Sequence, residues 1–296
     1  MRLESEQKAI NERPLVVVTA ATDNYFRKLQ DLIGSVRQHD SATMYVYDIG
    51  LTAPQVSELQ RYCNVEYRKF DYDKYPAFIK LGAAPLSADF VREQNGGMRQ
   101  ALKLLILFEI MEEIPNPILW LDAGSHIERP LDPVREEIRK YGYFFTCVSN
   151  DRHMLRWTHI GTLQALGWPQ YKEYLGHAST GSMGFAGRDS WVFGHIVLPA
   201  QDCVLRKECI EPDGASLRNH RYDASVISAL LEANGIARPC SGIPFERSVP
   251  VWNTNMPASE KYVIYHSRGN TIDPEHPERF RFPIQCTDGQ LSRHIP

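Results

Sequence analysis

The sequence has no Asn-x-Ser/Thr sequon, no Cys-x-x-Cys pair and no strong excess of either charge. Nor does any run approach the roughly 18–20 apolar residues that cross a bilayer. The most apolar stretch, Leu102–Met111, is too short. Each absence excludes something. The scatter of Cys63, Cys147, Cys203, Cys209, Cys240 and Cys286 removes zinc-ribbon and thioredoxin-like readings. It reads as buried free thiols in a reducing compartment. The N-terminal MRLESEQKAINERP has no apolar signal-peptide core. Together these features predict a cytoplasmic chain with no transmembrane segment. A net charge of −3 and a pI near 6.4 leave no electrostatic footprint for nucleic acid.

What is present is the composition of an ordinary globular protein: 43% hydrophobic and 23% charged residues, enough apolar material for a substantial core. Leu15–Ala20 is a β-branched run suited to a strand buried on both faces. Asp23 is placed to cap a helix through about Arg37, with Phe26, Leu29, Leu32, Ile33 and Val36 at helical spacing. Met44–Ile49 reads as a strand, Pro54–Tyr62 as a short helix and Val65–Phe70 as a third strand. After a long polar stretch, Asp71–Gly97, comes the strongest helix, about Met98–Glu113, apolar on more than one face and so deeply packed. Ile118–Leu121 is then a buried strand. Further on, the pattern predicts a helix over Pro130–Tyr141, strands at Tyr143–Val148, Met183–Ala186 and Lys261–His266, and a helix over Tyr222–Asn234 closed by Gly235. Ser149–Ser182 reads as loop-rich.

Alternation of strands and helices predicts an α/β fold with a mostly parallel open sheet and helices on both faces. Ligands of such sheets bind beyond the carboxyl ends of the strands. Thr19, Ala20, Thr22, Asp48 and Asp122 all fall at or beside predicted strand C-termini, which makes that rim the candidate site. The first strand leads into TAATDN, which contains no glycine, so neither a P-loop nor a dinucleotide fingerprint is present. This counts against a nucleotidyltransferase.

Five segments carry a resemblance. Ile118–Glu128 (ILWLDAGSHIE) resembles the GT-A glycosyltransferase strand that ends in Asp-x-Asp and presents a carboxylate to a divalent metal. Gln100–Leu104 (QALKL) is similar to the helix start that carries a cation towards the donor, and Thr180–Phe185 (TGSMGF) to the small-residue strand beside the donor sugar. His220–Ser225 (HRYDAS) is similar to an Arg-x-Asp-Gln-Ser element, and Tyr265–Gly269 (YHSRG) to a C-terminal His motif. The likeness runs from about Leu15 to Gly269 and points to DUF1647-type and glycosyltransferase-8-like proteins.

The resemblance implies one GT-A-like domain over 1–296, with a nucleotide-binding half at 14–128, an acceptor and sugar side at 129–270 and a tail at 271–296. It implies a nucleotide-sugar donor, a glycan or other hydroxyl acceptor, and a tilt towards retention. Asp122 and Asp223 would be the catalytic carboxylates. Thr19, Ala20, Thr22, Asp48, Lys103, Gly124, Gly181, Ser182 and Arg268 would bind the donor. Asp122, His266 and His126 would hold Mn²⁺ or Mg²⁺, which neutralises the leaving diphosphate. Two positions depart from the family pattern: Gly124 stands where a second Asp is expected, and Ala224 where Gln is usual. Asp122 then ligates with water, or with His126, or no metal is used, and a non-catalytic nucleotide-sugar-binding protein is the alternative reading.

Bland readings stand beside each assignment. Asp122 could form a turn, His126 could be a surface histidine, and Asp223 could serve the start of its helix. Lys103 could snorkel out of an apolar helix. Arg152, Arg156, Trp157 and His159 read as loop packing.

Overall fold

The computed structural model describes residues 13–79, 96–147, 154–168, 177–236 and 263–266. In chain order the elements are β1 (Val16–Ala21), a 3-10 turn (Asp23–Tyr25), α1 (Phe26–His39), β2 (Thr43–Asp48), α2 (Ala53–Leu59), β3 (Val65–Lys69) and a second 3-10 turn (Tyr72–Lys74). Then come α3 (Gly96–Glu113), β4 (Ile118–Leu121), β5 (Ser125–Ile127), α4 (Asp132–Tyr141), β6 (Tyr143–Cys147), α5 (Met154–Trp157) and α6 (Ile160–Ala165). The chain continues through β7 (Ala178–Phe185), a π-turn (Phe193–Val197), α7 (Leu198–Val204), α8 (Lys207–Ile210), α9 (Asp223–Ala233) and β8 (Ile264–His266). The main sheet has six strands and is open and mixed, with helices between its strands.

The described chain forms two compact units that are not sequential halves. One is built from Arg13–Phe70, Ile118–Glu136 and β8; the other from stretches within Asp71–Pro117 and Glu137–Gly242. The first unit carries four strands in the order β3-β2-β1-β4, every neighbouring pair parallel. Val16–Val18, Met44, Val46 and Ile118–Leu121 are at most 5% exposed, as a two-sided buried sheet requires. Helix α1 adds Leu29, Leu32, Ile33 and Val36, all fully buried. Such side chains each stabilise the fold by about 1.5–3 kcal/mol.

Local chemistry sets the joints of this unit. Asp23 does not cap α1. It opens a 3-10 turn, and its Oδ1 accepts from Asn24 N–H. Helix α2 starts with the capping box of Thr52 and Gln55, which satisfies two otherwise orphaned N–H groups. Asp40, after α1, takes both arms of Arg135 and the Leu131 N–H. Burial raises the Asp40 carboxyl, but the Arg135, Leu131 and Ala42 bonds outweigh it, and its pKa lies below the ordinary value.

The second unit centres on α3. Ala101, Leu102, Leu104–Leu107, Ile110 and Met111 are all at most 3% exposed, so the helix is apolar nearly all round and buried accordingly. β6 and β7 pair antiparallel, an addition to the mostly parallel expectation. β7 begins five residues earlier than the sequence indicates, and the loop-rich stretch before it holds α5 and α6. The π-turn and α7 lie in one continuous helical stretch, 191–204, which went unread because Pro199 interrupts its pattern; α8, with four residues, is too short for a period to emerge. Helix α9 ends as expected. Gly235 takes φ +73°, its N–H donates to Glu232 and that of Ile236 to Leu231, closing a Schellman motif.

The cysteines require a correction. Cys203 and Cys209 form a disulfide between α7 and α8, and Cys63 is also disulfide-bonded. They are not free thiols. Cys203 and Cys209 are only six residues apart, but that spacing matches neither Cys-x-x-Cys nor a zinc ribbon and so carried no signal.

Candidate active site

In the first unit the three parallel strands β2, β1 and β4 end on one rim. Ala21 is level with Asp48, and Val18 with Trp120, so Ala20–Thr22, Asp48 and Asp122 occupy the carboxyl end of the sheet. Thr19 lies one step inside. It is fully buried, and its Oγ1 has no hydrogen-bond partner among the described residues. Ala20 and Thr22 are partly exposed, and Thr22 Oγ1 donates to Asn24 Oδ1.

Asp48 shapes the rim. Its Oδ1 accepts from Gly50 N–H at 2.9 Å and Leu51 N–H at 2.7 Å, and its Oδ2 from the Tyr67 hydroxyl at 3.0 Å. Burial, reinforced by this carboxylate, pushes the Tyr67 hydroxyl up to about 12. The turn that Asp48 organises needs Gly50 at φ +139°, where a side chain would be strained. Its carbonyl receives the Asp23 N–H at 3.0 Å, so the loops after β1 and β2 are tied together.

Asp122 follows β4 directly. Its Oδ1 accepts the Trp120 indole N–H at 2.8 Å, and its carbonyl closes a turn onto Ser125 N–H at 2.8 Å. Trp120 and Asp122 share a strand face, which brings indole and carboxylate together. The half-buried carboxylate is thus held at the rim by its own strand. Gly124, also half-buried, sits inside the turn.

That turn leads into β5, a strand not read from the sequence. β5 pairs antiparallel with β8, setting Ser125 opposite His266 and His126 opposite Tyr265. His126 is 7% exposed; its Nδ1 lies 2.9 Å from Asp31 Oδ2 and its Nε2 3.8 Å from Glu128 Oε1. The ring therefore joins β5 to α1 and is no surface histidine. Among the described residues no three His, Cys, Asp or Glu side chains gather as metal ligands. Arg268 lies outside the described residues, as does Arg152.

The second unit holds the other assigned residues, and here three of the quoted segments meet. Lys103 on α3 does not snorkel outward. Its Nζ is 3.2 Å from Asp223 Oδ2 and donates to the Thr180 carbonyl at 2.8 Å. The Lys103 side chain is 11% exposed and that of Asp223 is sealed. Asp223 is the first residue of α9, where the helix dipole also favours negative charge. Burying two charges is expensive unless geometry and extra hydrogen bonds compensate, so such a pair is weak evidence for stability and better evidence of another use.

Two backbone irregularities flank this pair. The β6–β7 register passes from Phe145↔Met183 to Thr146↔Ser179, so Thr180, Gly181 and Ser182 bulge out of the ladder. Within that bulge the Thr180 carbonyl accepts from Lys103, and bulges of this kind re-aim groups beside active sites. Directly before Asp223, Tyr222 adopts φ 50°, ψ −111°, which costs a non-glycine residue about 1–3 kcal/mol. Sequence reasoning missed both. Glycines at 181 and 184 within a strand pattern were the available signal for the bulge; a strained tyrosine leaves none.

His220 supports the same turn. It is fully buried, accepts the His159 N–H on Nδ1 at 3.1 Å and donates from Nε2 to the Ile210 carbonyl at 3.0 Å. Burial pushes its pKa down to about 4. Arg221 stacks over Trp157 at 4.1 Å, and His159 Nδ1 accepts from Gly161 N–H at the start of α6. Trp157 and His159 are thus packed into the unit.

Comparison with known proteins accords with this architecture. A family described only as a protein of unknown function, DUF1647, matches residues 2–83. No curated protein matches at a significant level. Among solved structures, WbbM, a bifunctional glycosyltransferase in apo form, aligns with a TM-score of 0.51 at 11% identity, over 87% of this chain and 46% of its own. Mouse xyloside xylosyltransferase 1, also apo, aligns at 0.50 and 17% identity, over 88% of this chain and 99% of its own. The chain thus spans about half of WbbM. The fold is the GT-A fold of the nucleotide-sugar glycosyltransferases.

Proposed function

We propose that the chain is a glycosyltransferase that moves a sugar from a nucleotide-sugar donor to a hydroxyl acceptor, such as a glycan. The observation that carries this reading is the buried Lys103–Asp223 pair, set between a three-residue bulge and a strained turn. Costly features concentrated at one place are what a binding or catalytic site needs and a purely structural contact does not. The GT-A fold and a carboxylate on the strand rim support it.

In this reading Ala20, Thr22 and Gly124 line the nucleotide side of the first unit, with Thr19 sealed beneath them and Asp48 holding the loop. Asp223 faces the transferred sugar or the acceptor, with Lys103 holding its carboxylate. Gly181 and Ser182 supply the small-residue wall that lets a sugar approach the backbone. Asp122 would hold a divalent cation, Mn²⁺ or Mg²⁺, together with donor phosphate oxygens; when bound, the cation would neutralise the departing diphosphate. His126 would join that set only through Nε2, because Asp31 holds its Nδ1, as a carboxylate does behind many ligating histidines. His266 enters only through its backbone place opposite Ser125. Retention of configuration stays the preferred outcome.

Among the described residues no helix is long and apolar enough to cross a membrane. The cytoplasmic setting expected from the polar N-terminus, the absent sequon and the free-thiol reading loses the last of these supports, since the disulfides favour an oxidising compartment.

The test is donor turnover. A panel of nucleotide sugars, each with and without Mn²⁺, should include one that is hydrolysed or transferred by the wild type and not by Asp122→Asn. A non-catalytic sugar-nucleotide receptor is the second reading, motivated by Gly124 and Ala224. Nucleotide binding with no turnover of any donor would establish it.

A further inference from the structure

We infer that Tyr222 is a positioning residue, whose left-handed backbone aims Asp223 at Lys103; the inference rests on the reading of Asp223 as a sugar-side carboxylate. Tyr222 is the only non-glycine with positive φ among the described residues. The Ala224 N–H donates to the Arg221 carbonyl at 3.1 Å, closing a four-residue turn with Tyr222 at its second position. At φ 50°, ψ −111° that position is one glycine takes by default.

Tyrosine occupies it because the ring is used. The side chain is 3% exposed and packs edge-on against His220, with ring centroids 5.0 Å apart. His220 is itself fixed at both ring nitrogens, by His159 N–H and the Ile210 carbonyl. On the other side, Arg221 N–H is shared by Ser225 Oγ at 2.8 Å and the Trp157 carbonyl at 3.0 Å. Ser225 Oγ donates to that same carbonyl at 2.6 Å. The turn is therefore over-determined from both sides and cannot relax without breaking buried contacts.

The consequence is directional. A relaxed φ at residue 222 would change the angle at which the chain enters α9 and draw Asp223 away from the Lys103 ammonium. That ammonium is also bound to the Thr180 carbonyl, so it cannot follow.

Three variants separate positioning from packing. Tyr222→Phe keeps the ring and should match the wild type. Tyr222→Ala loses the ring but keeps the penalty for positive φ, and should lower kcat at least about tenfold with donor KM within about threefold. Tyr222→Gly also loses the ring, yet tolerates positive φ, and should recover kcat to within about threefold of wild type while melting no higher than Tyr222→Ala. A packing role alone would leave the glycine variant as impaired as the alanine variant or worse.

A second readout does not depend on turnover: the proton–nitrogen cross-peak of the Lys103 ammonium, which its buried contacts protect from exchange. It should persist in wild type and Tyr222→Gly and vanish in Tyr222→Ala. If wild type turns over no donor, the glycosyltransferase reading fails and this signal alone decides the positioning role. An unchanged signal in Tyr222→Ala, or a glycine variant no better than alanine in either readout, would overturn it.

Discussion

Lys103 and Asp223 show how far a single residue can be read from sequence. Lys103 sits in an apolar helix, and sequence alone makes snorkelling the natural outcome. Its neighbours on the helix are buried, however, and instead of extending into solvent the ammonium pairs with Asp223 at 3.2 Å. Breaking the pair should be costly, because removing one partner leaves a buried charge uncompensated. Urea denaturation of Asp223→Ala should show a loss of about 3 kcal/mol or more. The double variant Lys103→Met/Asp223→Leu should be more stable than the worse of its parent single changes, since it removes both charges together. Activity should be lost in all of these. Asp122 predicts the opposite balance: Asp122→Asn keeps a similar shape and an acceptor oxygen for Trp120, so stability should fall by no more than about 1 kcal/mol. Transfer should nevertheless fall at least about a hundredfold. Equal losses of fold and activity would return Asp122 to a turn-forming role.

At the scale of elements, long periodic segments were legible and short ones were not. β1, β2, α1, α3, β4 and α9 fall close to where their apolar periods put them, although α1 starts after a 3-10 turn and not at Asp23. Helix α9 even shows the Gly235 cap in full, and Gly235→Ala should lower stability by about 1 kcal/mol in a urea titration. The four-residue helices α5 and α8 and the three-residue strand β5 have too little length for periodicity to speak. Their places are set by contacts such as Thr162 Oγ1 to the Cys209 carbonyl and His126 to Asp31. The connection through His220 gives this region a pH signature. The folded ring resists protonation down to about 4, whereas the unfolded chain takes up its proton near 6.5. Stability from this residue is thus complete above pH 6.5 and is lost as pH falls towards about 4. The loss amounts to about 3 kcal/mol. Melting curves across that range should slope steeply in the wild type and flatten in His220→Gln.

For the whole molecule, the alternation of strands and helices revealed the α/β class, and the quoted motifs carried the GT-A fold. The interleaving of the units was not legible: the chain leaves the first at Phe70 and returns at Ile118, and the polar stretch that starts at Asp71 reads as a long loop inside one domain. The Cys203–Cys209 disulfide was hidden for another reason: a six-residue spacing matches no known cysteine motif, so it does not distinguish a bridge from two free thiols. Reduction of Cys203–Cys209 reopens a short loop and should lower stability by about 2 kcal/mol in the chain-entropy account. A reducing agent should therefore lower the melting temperature, and mass spectrometry after alkylation without reduction should find Cys203 and Cys209 unmodified. Alkylation of both in the native protein would restore the reading of free thiols.

The central claim is that the rim carboxylate of one unit and the buried pair of the other both serve sugar transfer. Its most direct test is turnover of a nucleotide-sugar panel by wild type, Asp122→Asn and Asp223→Asn, each shown to be folded, with Mn²⁺ and with a chelator. The account predicts that at least one donor is turned over by the wild type, and that each carboxylate variant loses that activity while retaining its fold. Undiminished turnover in both variants, or no turnover of any donor by a wild type that binds nucleotide, would contradict it.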